Sequence, residues 1–372
     1  MLDKNWWPTD YFASRNQFIQ TASACGAQMQ SIAVEPVGPK GEALSVDIAS
    51  FVSDDDDHRI ILTSGVHGAE GFIGACIQIQ ALQLFVQRRI AKRIGIVMIH
   101  AVNPYGFAHL RRVDENNIDV NRNFIDFNNS KPASHKNYAS LDSTINPKFA
   151  PGTLSEIKYW LSAGTLIARN RGIKELVKPI AEGQYLYPKG LFYGGAALSA
   201  SASILQKLVQ DVAKDVERIT ILDLHSGLGP GGTATLISNS NIVFAENQLE
   251  WLQTHYQQPV IFDDASDNAY RASGTLGAWC QQALKHKHYL YLCVEIGTVR
   301  PLKLFSALRR ENQAHHWTDV DTAIYSQTKQ ELLDVFAPRS VYWRNKAISE
   351  GLHAFERTLS IATPGDPSMI SV

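Results

Sequence analysis

Four residues that can bind a metal ion or activate water follow short apolar runs of the chain. His67 and Glu70 come shortly after RIILT, His225 directly follows ITILDL, and Glu295 directly follows YLYLCV. Nearly continuous apolar runs of this length are typical of strands buried on both faces. Binding sites in open α/β sheets lie beyond the carboxyl ends of the strands, so we expect the four side chains to converge.

The chemistry of this set is that of a catalytic metal centre. Two imidazoles and one carboxylate form a known ligand set of catalytic zinc, and they leave one position for water. Zinc lowers the pKa of that water to about 7, and Glu295 would serve as the general base and acid. A single His at a strand end is more often a satisfied polar residue, and HxxE is common by chance. The four residues together are the stronger signal.

The elements that would position these residues alternate along the chain. A further apolar run covers residues 94–99, and the stretch after Glu70 spaces its apolar residues at helical intervals up to Arg88 and Arg89. Strands that alternate with helices predict an α/β fold. We expect a mixed, mostly parallel central sheet with helices on both faces.

One segment interrupts this alternation. Residues 128–190 begin with a polar, loop-like part up to residue 148 and continue with a helical pattern over 154–180. We interpret the segment as an insertion that covers part of the edge of the sheet. Residues 302–362 are predicted to be mostly helical. Because no stretch has the composition of a linker, we expect one domain over residues 1–372.

Bulk composition excludes several classes of protein. The chain has 372 residues, with 35 Lys plus Arg against 36 Asp plus Glu, so it lacks the basic excess of a nucleic-acid binder. Its four cysteines form no CxxC pair, which argues against a thiolate zinc site and a disulfide framework. The first residues do not resemble a signal peptide, and no apolar run reaches about 18 residues. We therefore expect a cytoplasmic protein without a membrane span; the oligomeric state stays open.

Six sequence motifs resemble, in chain order, those of the zinc carboxypeptidase family, which includes deacylases of the aspartoacylase and succinylglutamate desuccinylase type. They are HGAE at 67–70, NPYG at 103–106, DVNRNF at 119–124, His225 after its strand, YRASG at 270–274 and Glu295 after its strand. The similarity covers about residues 60–298. NPYG has Tyr where the family has Asp. The stretch from Asn121 to His225 is longer than in digestive carboxypeptidases, in agreement with the proposed insertion.

This resemblance implies the metal chemistry residue by residue. His67, Glu70 and His225 would bind one zinc ion per chain. Glu295 would deprotonate the attacking water and pass the proton to the leaving amine.

The resemblance also implies how a substrate is held. Arg112, nine residues before Asn121, would stabilise the oxyanion, and the neighbouring Arg111 is the alternative candidate. Asn121 and Arg122 would bind the terminal carboxylate of the substrate, for which a guanidinium fork is suited. Tyr270 would close over the substrate and donate a hydrogen bond.

Three functions remain open at the level of sequence. The first is a zinc peptidase that cleaves a C-terminal peptide or amide bond, and the second is a zinc N-deacylase or amidase acting on a small N-acyl amino acid. The third is an inactive binding protein on the same fold. Gly277, at the position where the family's pocket sets side-chain preference, carries no charge and indicates no acidic or basic preference. A serine hydrolase is disfavoured because the glycine expected two residues before Ser226 is absent.

Overall fold

The strands and helices are taken from a computed structural model, which describes residues 6–87, 93–129, 134, 137–169, 180–238, 248–262 and 272–362. The strands within these ranges are β1 Gln28–Val37, β2 Ala43–Phe51, β3 His58–Ser64, β4 Ile94–His100, β5 Arg218–Gly227, β6 Ala234–Ser238, β7 Val260–Phe262 and β8 His288–Gly297. The helices are α1 Tyr11–Ala24, α2 Gly71–Gln87, α3 Pro104–Ala108, α4 Tyr138–Ile145, α5 Thr153–Arg169, α6 Ala200–Ala213, α7 Gln248–Tyr256, α8 Leu276–Ala283, α9 Pro301–Trp317, α10 Ala323–Phe336 and α11 Val341–Ala362. Two single 3-10 turns, Gly68–Glu70 and Val120–Arg122, complete the described elements.

The strands form one mixed sheet in the order β1-β2-β4-β3-β5-β8-β6-β7. Its centre is parallel, since β4, β3, β5 and β8 all run in one direction. On the two sides, β2 is antiparallel to β4 and β6 is antiparallel to β8. The four strands predicted from apolar runs are the four parallel central ones, because only strands buried on both faces produce nearly continuous apolar runs.

Helices cover both faces of the sheet, as predicted. Alternate residues of β3 point to opposite faces. Ile60 packs with Phe18 of α1 and Phe355 of α11, whereas Ile61 packs with Leu205 of α6 and helix α8. These two apolar layers hold the central strands, and therefore their carboxyl ends, at fixed relative positions.

One helical stretch, Gly68–Gln87, is apolar enough by length and composition to cross a membrane. However, 72% of its apolar window is buried inside the fold. It is therefore α2 with the turn before it, a core helix that packs against β3 and β5 of the sheet. Arg88 and Arg89, expected in its last turn, lie outside the described residues.

The segment predicted as an insertion contains more helix than its sequence suggested. The part up to residue 148 was expected to be a loop, but it contains α4. Its apolar residues Tyr138, Leu141 and Ile145 are few among polar neighbours, and they are buried together against Ile180. The predicted helix over 154–180 corresponds to α5 in its first part, and residues 170–179 lie outside the described residues.

Candidate active site

The site lies at the carboxyl ends of the parallel strands, where β3, β5 and β8 are neighbours. His225 and Glu295 occupy paired positions in β5 and β8, so their side chains emerge from the same face of the sheet. Asp223, two residues before His225, shares this face and is paired with Thr63 of β3. The sheet register therefore brings together residues that are far apart in the sequence.

A tight turn carries the other two predicted ligands. His67 immediately precedes the 3-10 turn that ends in Glu70. A Cβ atom on Gly68 would lie 1.9 Å from the backbone of Gly106, so only glycine fits there. The amide groups of Gly68 and Ala69 donate to the carbonyl oxygens of Arg112 and Arg111 at 3.2 and 2.8 Å. The turn is thus fixed against a loop that supplies an arginine to the site.

The three predicted metal ligands converge. His67, Glu70 and His225 are buried, and their candidate ligand atoms all lie within 4.8 Å of one another. One carboxylate oxygen of Glu70 lies 2.9 Å from Nδ1 of His67, and the other lies 2.9 Å from Nδ1 of His225. The two Nδ1 atoms are 3.2 Å apart. The convergence of His67, Glu70 and His225 that was predicted from the strand ends is therefore present in the structure.

Each histidine is oriented by a buried carboxylate on its far side. Nε2 of His67 lies 3.1 Å from Asp119, and Nε2 of His225 lies 2.8 Å from Asp223. Carboxylates only accept hydrogen bonds, so each Nε2 carries the proton, and a neutral imidazole then has a bare Nδ1. Two bare nitrogens and the oxygens of Glu70 would face one point.

Such a set of acceptors fits a cation better than any hydrogen-bonding pattern. Unprotonated acceptors this close repel one another unless a positive charge lies among them. Two nitrogens that are each about 2.0–2.1 Å from one tetrahedral ion lie about 3.3–3.4 Å apart, close to the 3.2 Å between the Nδ1 atoms. Outer carboxylates on metal-binding histidines are the usual arrangement in metalloproteins. The residues present therefore fit a divalent metal ion such as zinc.

The pKa shifts of Glu70 and His225 also indicate that the site favours a bound positive charge. Burial raises the pKa of Glu70, but the electrostatic interaction with His67 and the hydrogen-bond contact with His225 outweigh it and lower the pKa. Burial likewise lowers the pKa of His225, but Asp223 and then Glu70 raise it well above its usual value. The site therefore attracts positive charge strongly, whether a proton or a metal ion carries it.

Glu295 is placed beside the cluster rather than within it. One of its carboxylate oxygens accepts a hydrogen bond from the amide of Leu228 at 2.8 Å. Burial, and then the negative charge of Glu70, raise the pKa of Glu295 to about 7. A carboxylate of this kind can both take and release a proton near neutral pH.

The two candidate arginines occupy different environments. Arg112 donates to Glu70 at 3.2 Å and to Asp119 at 3.0 Å, so its guanidinium group borders the cluster. Arg111 is fully buried and donates to Glu311 of α9 at 2.9 Å and to Asn117 at 2.9 Å. Arg112 is therefore the one that faces the cluster.

The predicted carboxylate-binding pair is held by other parts of the chain. Asn121 accepts a hydrogen bond from the amide of Leu276 at 2.9 Å. Arg122 donates to the carbonyl oxygen of Ala181 from Nε at 3.1 Å and from Nη2 at 2.8 Å. The segment predicted as an insertion therefore fixes the guanidinium group of Arg122, a contact that the sequence did not indicate. Tyr270 lies outside the described residues.

Asp119 and Asp223 contact the two histidines, a role that was not predicted from the sequence. Asp119 was expected to belong only to the substrate motif, and it also orients His67. The signal for Asp223 was present, because residues two apart on a strand share a face. Thr63 and Tyr291 also donate to Asp223, at 2.6 and 3.0 Å, and thereby fix it.

Comparison with known proteins supports the fold. Over residues 7–350 the chain matches the model of the family described as Protein of unknown function (DUF2817). No curated protein matches the chain. Bovine thrombin-activatable fibrinolysis inhibitor, solved in complex with tick carboxypeptidase inhibitor, is similar in structure with a TM-score of 0.50 and 11% identity, over 96% of this chain and 98% of that chain.

Two other solved structures are more distant in TM-score. Carboxypeptidase A from Helicoverpa armigera has a TM-score of 0.48 at 13% identity, over 93% of this chain and 74% of that chain. Succinylglutamate desuccinylase from Chromobacterium violaceum has a TM-score of 0.40 at 15% identity, over 87% of this chain and 74% of that chain. At these identities the likeness to the bovine protein shows a common fold, so the predicted fold class is confirmed.

Proposed function

The chain belongs to the family of proteins of unknown function DUF2817, and from the geometry of its site we propose that it is a zinc-dependent hydrolase. The bond cleaved is an amide or peptide bond next to a free carboxylate. His67, Glu70 and His225 are the proposed zinc ligands, one ion per chain. Glu295 is the proposed general base.

The observation that carries this proposal is the orientation of the two histidines. Asp119 and Asp223 hold the outer nitrogens, so both Nδ1 atoms and Glu70 turn toward one point. A purely structural cluster has no need of two buried carboxylates behind two histidines that face a third carboxylate, since burial of each charge costs free energy. A site that binds a divalent cation needs such an arrangement, because the cation compensates the buried negative charges.

The chemistry can then be assigned group by group. A bound zinc ion would polarise the scissile carbonyl group and acidify water. Glu295 accepts a proton from the water that attacks the amide carbon, and returns it to the leaving nitrogen as the carbon–nitrogen bond breaks. The products are a carboxylic acid and an amine. Arg112 borders the cluster and is the proposed donor to the oxygen that becomes negative during attack.

The proposed anchor for the substrate is Asn121 with Arg122. Arg122 lies on the same side of the site as Arg112, because both guanidinium groups are within 6 Å of the ring of Phe192. Two cationic groups near the cluster of proposed zinc ligands favour an anionic substrate. Tyr270 is retained as the proposed residue that closes over the substrate.

Two substrate classes use this chemistry. The bovine protein of the same fold is bound to a carboxypeptidase inhibitor, which favours release of a C-terminal residue from a peptide. The alternative is deacylation of a small N-acyl amino acid, for which a site closed by the inserted segment 128–190 would be suited. We place peptide hydrolysis first and deacylation second, and an inactive binding protein last.

A single screen tests the proposal. Purified protein is stripped with a chelator, reloaded with zinc, and assayed side by side on peptides with free C termini and on N-acyl amino acids. We expect one zinc per chain and hydrolysis of one of the two classes, lost after chelation and restored by zinc. Absence of tight zinc binding would contradict the metal site. Zinc binding without hydrolysis of either class would favour the inactive binding protein.

A further inference from the structure

Phe192 lies against both arginines of the site. The guanidinium carbon of Arg112 is 5.1 Å from the centre of its ring, and that of Arg122 is 5.7 Å away. Both distances fall within the range of about 6 Å over which an aromatic ring attracts a cation. One ring thus connects the arginine beside the metal ligands with the arginine of the VNR turn.

The backbone of Phe192 is also exceptional. Its φ is +55°, in the left-handed region that bulky residues rarely adopt. Hydrogen bonds hold the backbone in this conformation. The carbonyl oxygen of Phe192 accepts from the backbone amide of Gln184 at 3.0 Å, and the carbonyl oxygen of Tyr193 accepts from the backbone amide of Asp119 at 2.7 Å. Such conformations persist where the surrounding contacts impose them, and they cluster at functional sites.

The ring has a physical task between the two cations. Two guanidinium groups that face one substrate repel each other, so something must hold them together. Asp119 and Glu70 accept from Arg112 at 3.0 and 3.2 Å, and the carbonyl oxygen of Ala181 accepts from Arg122 at 2.8 Å, so each guanidinium group has its own partners. A further carboxylate placed between the two groups would compete with an anionic substrate. An aromatic ring attracts both cations without adding net negative charge.

We propose that Phe192 is a positioning residue for carboxylate recognition. Its ring contacts the guanidinium groups of Arg112 and Arg122 and holds them near each other without adding a negative charge to the site. This inference rests on the proposed function, because it assumes that the substrate carries a carboxylate. It adds a residue from the segment after the inserted helices to the site, one that none of the six motifs contains.

The test compares a charged with a neutral ligand on matched variants. Phe192→Leu removes the aromatic face but keeps an apolar side chain, and Phe192→Tyr keeps the ring. Phe305 is a second partly buried phenylalanine packed against the same two apolar clusters. Among the described residues its ring makes no cation–π contact, so Phe305→Leu is the control for loss of aromatic volume.

The probes are N-acetylphenylalanine and its carboxamide, bound to zinc-loaded protein and measured by calorimetry. Loss of two cation–π contacts should weaken binding of the carboxylate by about 5- to 30-fold in Phe192→Leu and change binding of the carboxamide by less than about 2-fold. Phe192→Tyr should restore the preference, and Phe305→Leu should leave it as in the wild type. Melting temperatures of all variants are recorded, and Phe192→Met replaces the Leu variant if that one does not fold.

The outcomes separate the inference from the proposed function. If the wild type prefers the carboxylate and Phe192→Leu keeps the same preference, the role of Phe192 is wrong and the proposed function stands. Equal weakening of both probes would show that the ring is only structural. If the wild type itself does not distinguish the two probes, carboxylate recognition fails and the inference falls with it.

Discussion

Replacement of Asp223 tests whether the outer carboxylate prepares His225 for a metal. Asp223 is fully buried and accepts from Thr63 at 2.6 Å, from His225 at 2.8 Å and from Tyr291 at 3.0 Å. Asp223→Asn keeps the shape but loses the charge. The hydroxyl of Thr63 can turn and accept from the new amide nitrogen, while the amide oxygen still accepts from His225 and Tyr291. The orientation of His225 should therefore survive.

The magnitude follows from what each change removes. Loss of an outer partner of a metal-binding histidine typically costs 10–100-fold in metal affinity. Asp223→Asn loses only charge, so we expect a decrease in zinc affinity of about 10-fold, and Asp223→Ala loses orientation too, so we expect about 100-fold, or ~2.7 kcal/mol. Zinc affinity is measured by competition with a chelating dye, and circular dichroism confirms folding.

A double variant sharpens the reasoning. In Thr63→Val with Asp223→Asn, the valine cannot accept from the amide. The amide then leaves a buried donor unpaired or turns its nitrogen toward His225 Nε2, which favours the tautomer with a proton on Nδ1. The loss of zinc-binding free energy in the double variant should exceed the sum of the losses in the two single variants. Additive losses, or unchanged zinc binding in Asp223→Ala, would refute the argument.

The other predictions concern the charged groups of the site. His67→Ala should lose zinc and activity, and a variant that kept both would sink the proposed metal site. Glu295→Gln should bind zinc but lose about 10²–10⁴-fold in kcat, and unchanged turnover would reject Glu295 as the base. Because the pKa of Glu295 is raised from its usual 4.5 to about 7 in the fold, the metal-free fold loses stability as pH rises from about 4.5 to about 7 and loses no more above that value. In thermal unfolding of the chelated protein, the stability of Glu295→Gln relative to the wild type should therefore be greater at pH 8 than at pH 5, and an equal difference at both would contradict the shift. Arg112→Ala should lower kcat by about 10²–10³-fold, whereas Arg111→Ala should lower the free energy of unfolding by about 1–3 kcal/mol, because Glu311 loses this buried partner and keeps only Lys329 among its ion pairs in the described residues. A denaturant titration and a kinetic assay of both variants would reveal an exchange of these two roles.

Much of the fold and the cluster of His67, Glu70 and His225 could be predicted because the relevant signals are local. Strands buried on both faces produce apolar runs, and β3, β4, β5 and β8 were found in this way. Beyond two of these runs stand His67 and His225, whose convergence follows from a parallel sheet. The outer strands β1, β2, β6 and β7 were not singled out; β1, for example, alternates between exposed and partly buried residues and produces no such run.

Other features depend on contacts between distant parts of the chain. Arg111 and Arg112 are adjacent and chemically identical, but Arg111 is bound by Glu311 on α9, 200 residues away, whereas Arg112 is bound by Glu70 and Asp119. In the same way Arg122 was predicted to bind a substrate carboxylate, and the structure adds a contact with a carbonyl oxygen of the inserted segment. The sequence around these arginines could not have predicted Glu311 or Ala181 as partners, since neither residue belongs to a motif.

Residue type and periodicity specify which chemical groups follow the strands, and therefore the type of chemistry that the site can carry, because both act over a few residues. How those groups are held depends on the folded chain, which sets the nitrogen of His67 and of His225 that faces the cluster and the arginine that borders it. Hydrogen-bond direction and burial set these choices, and they arise only when the register of the sheet, the tight turn and the inserted segment meet.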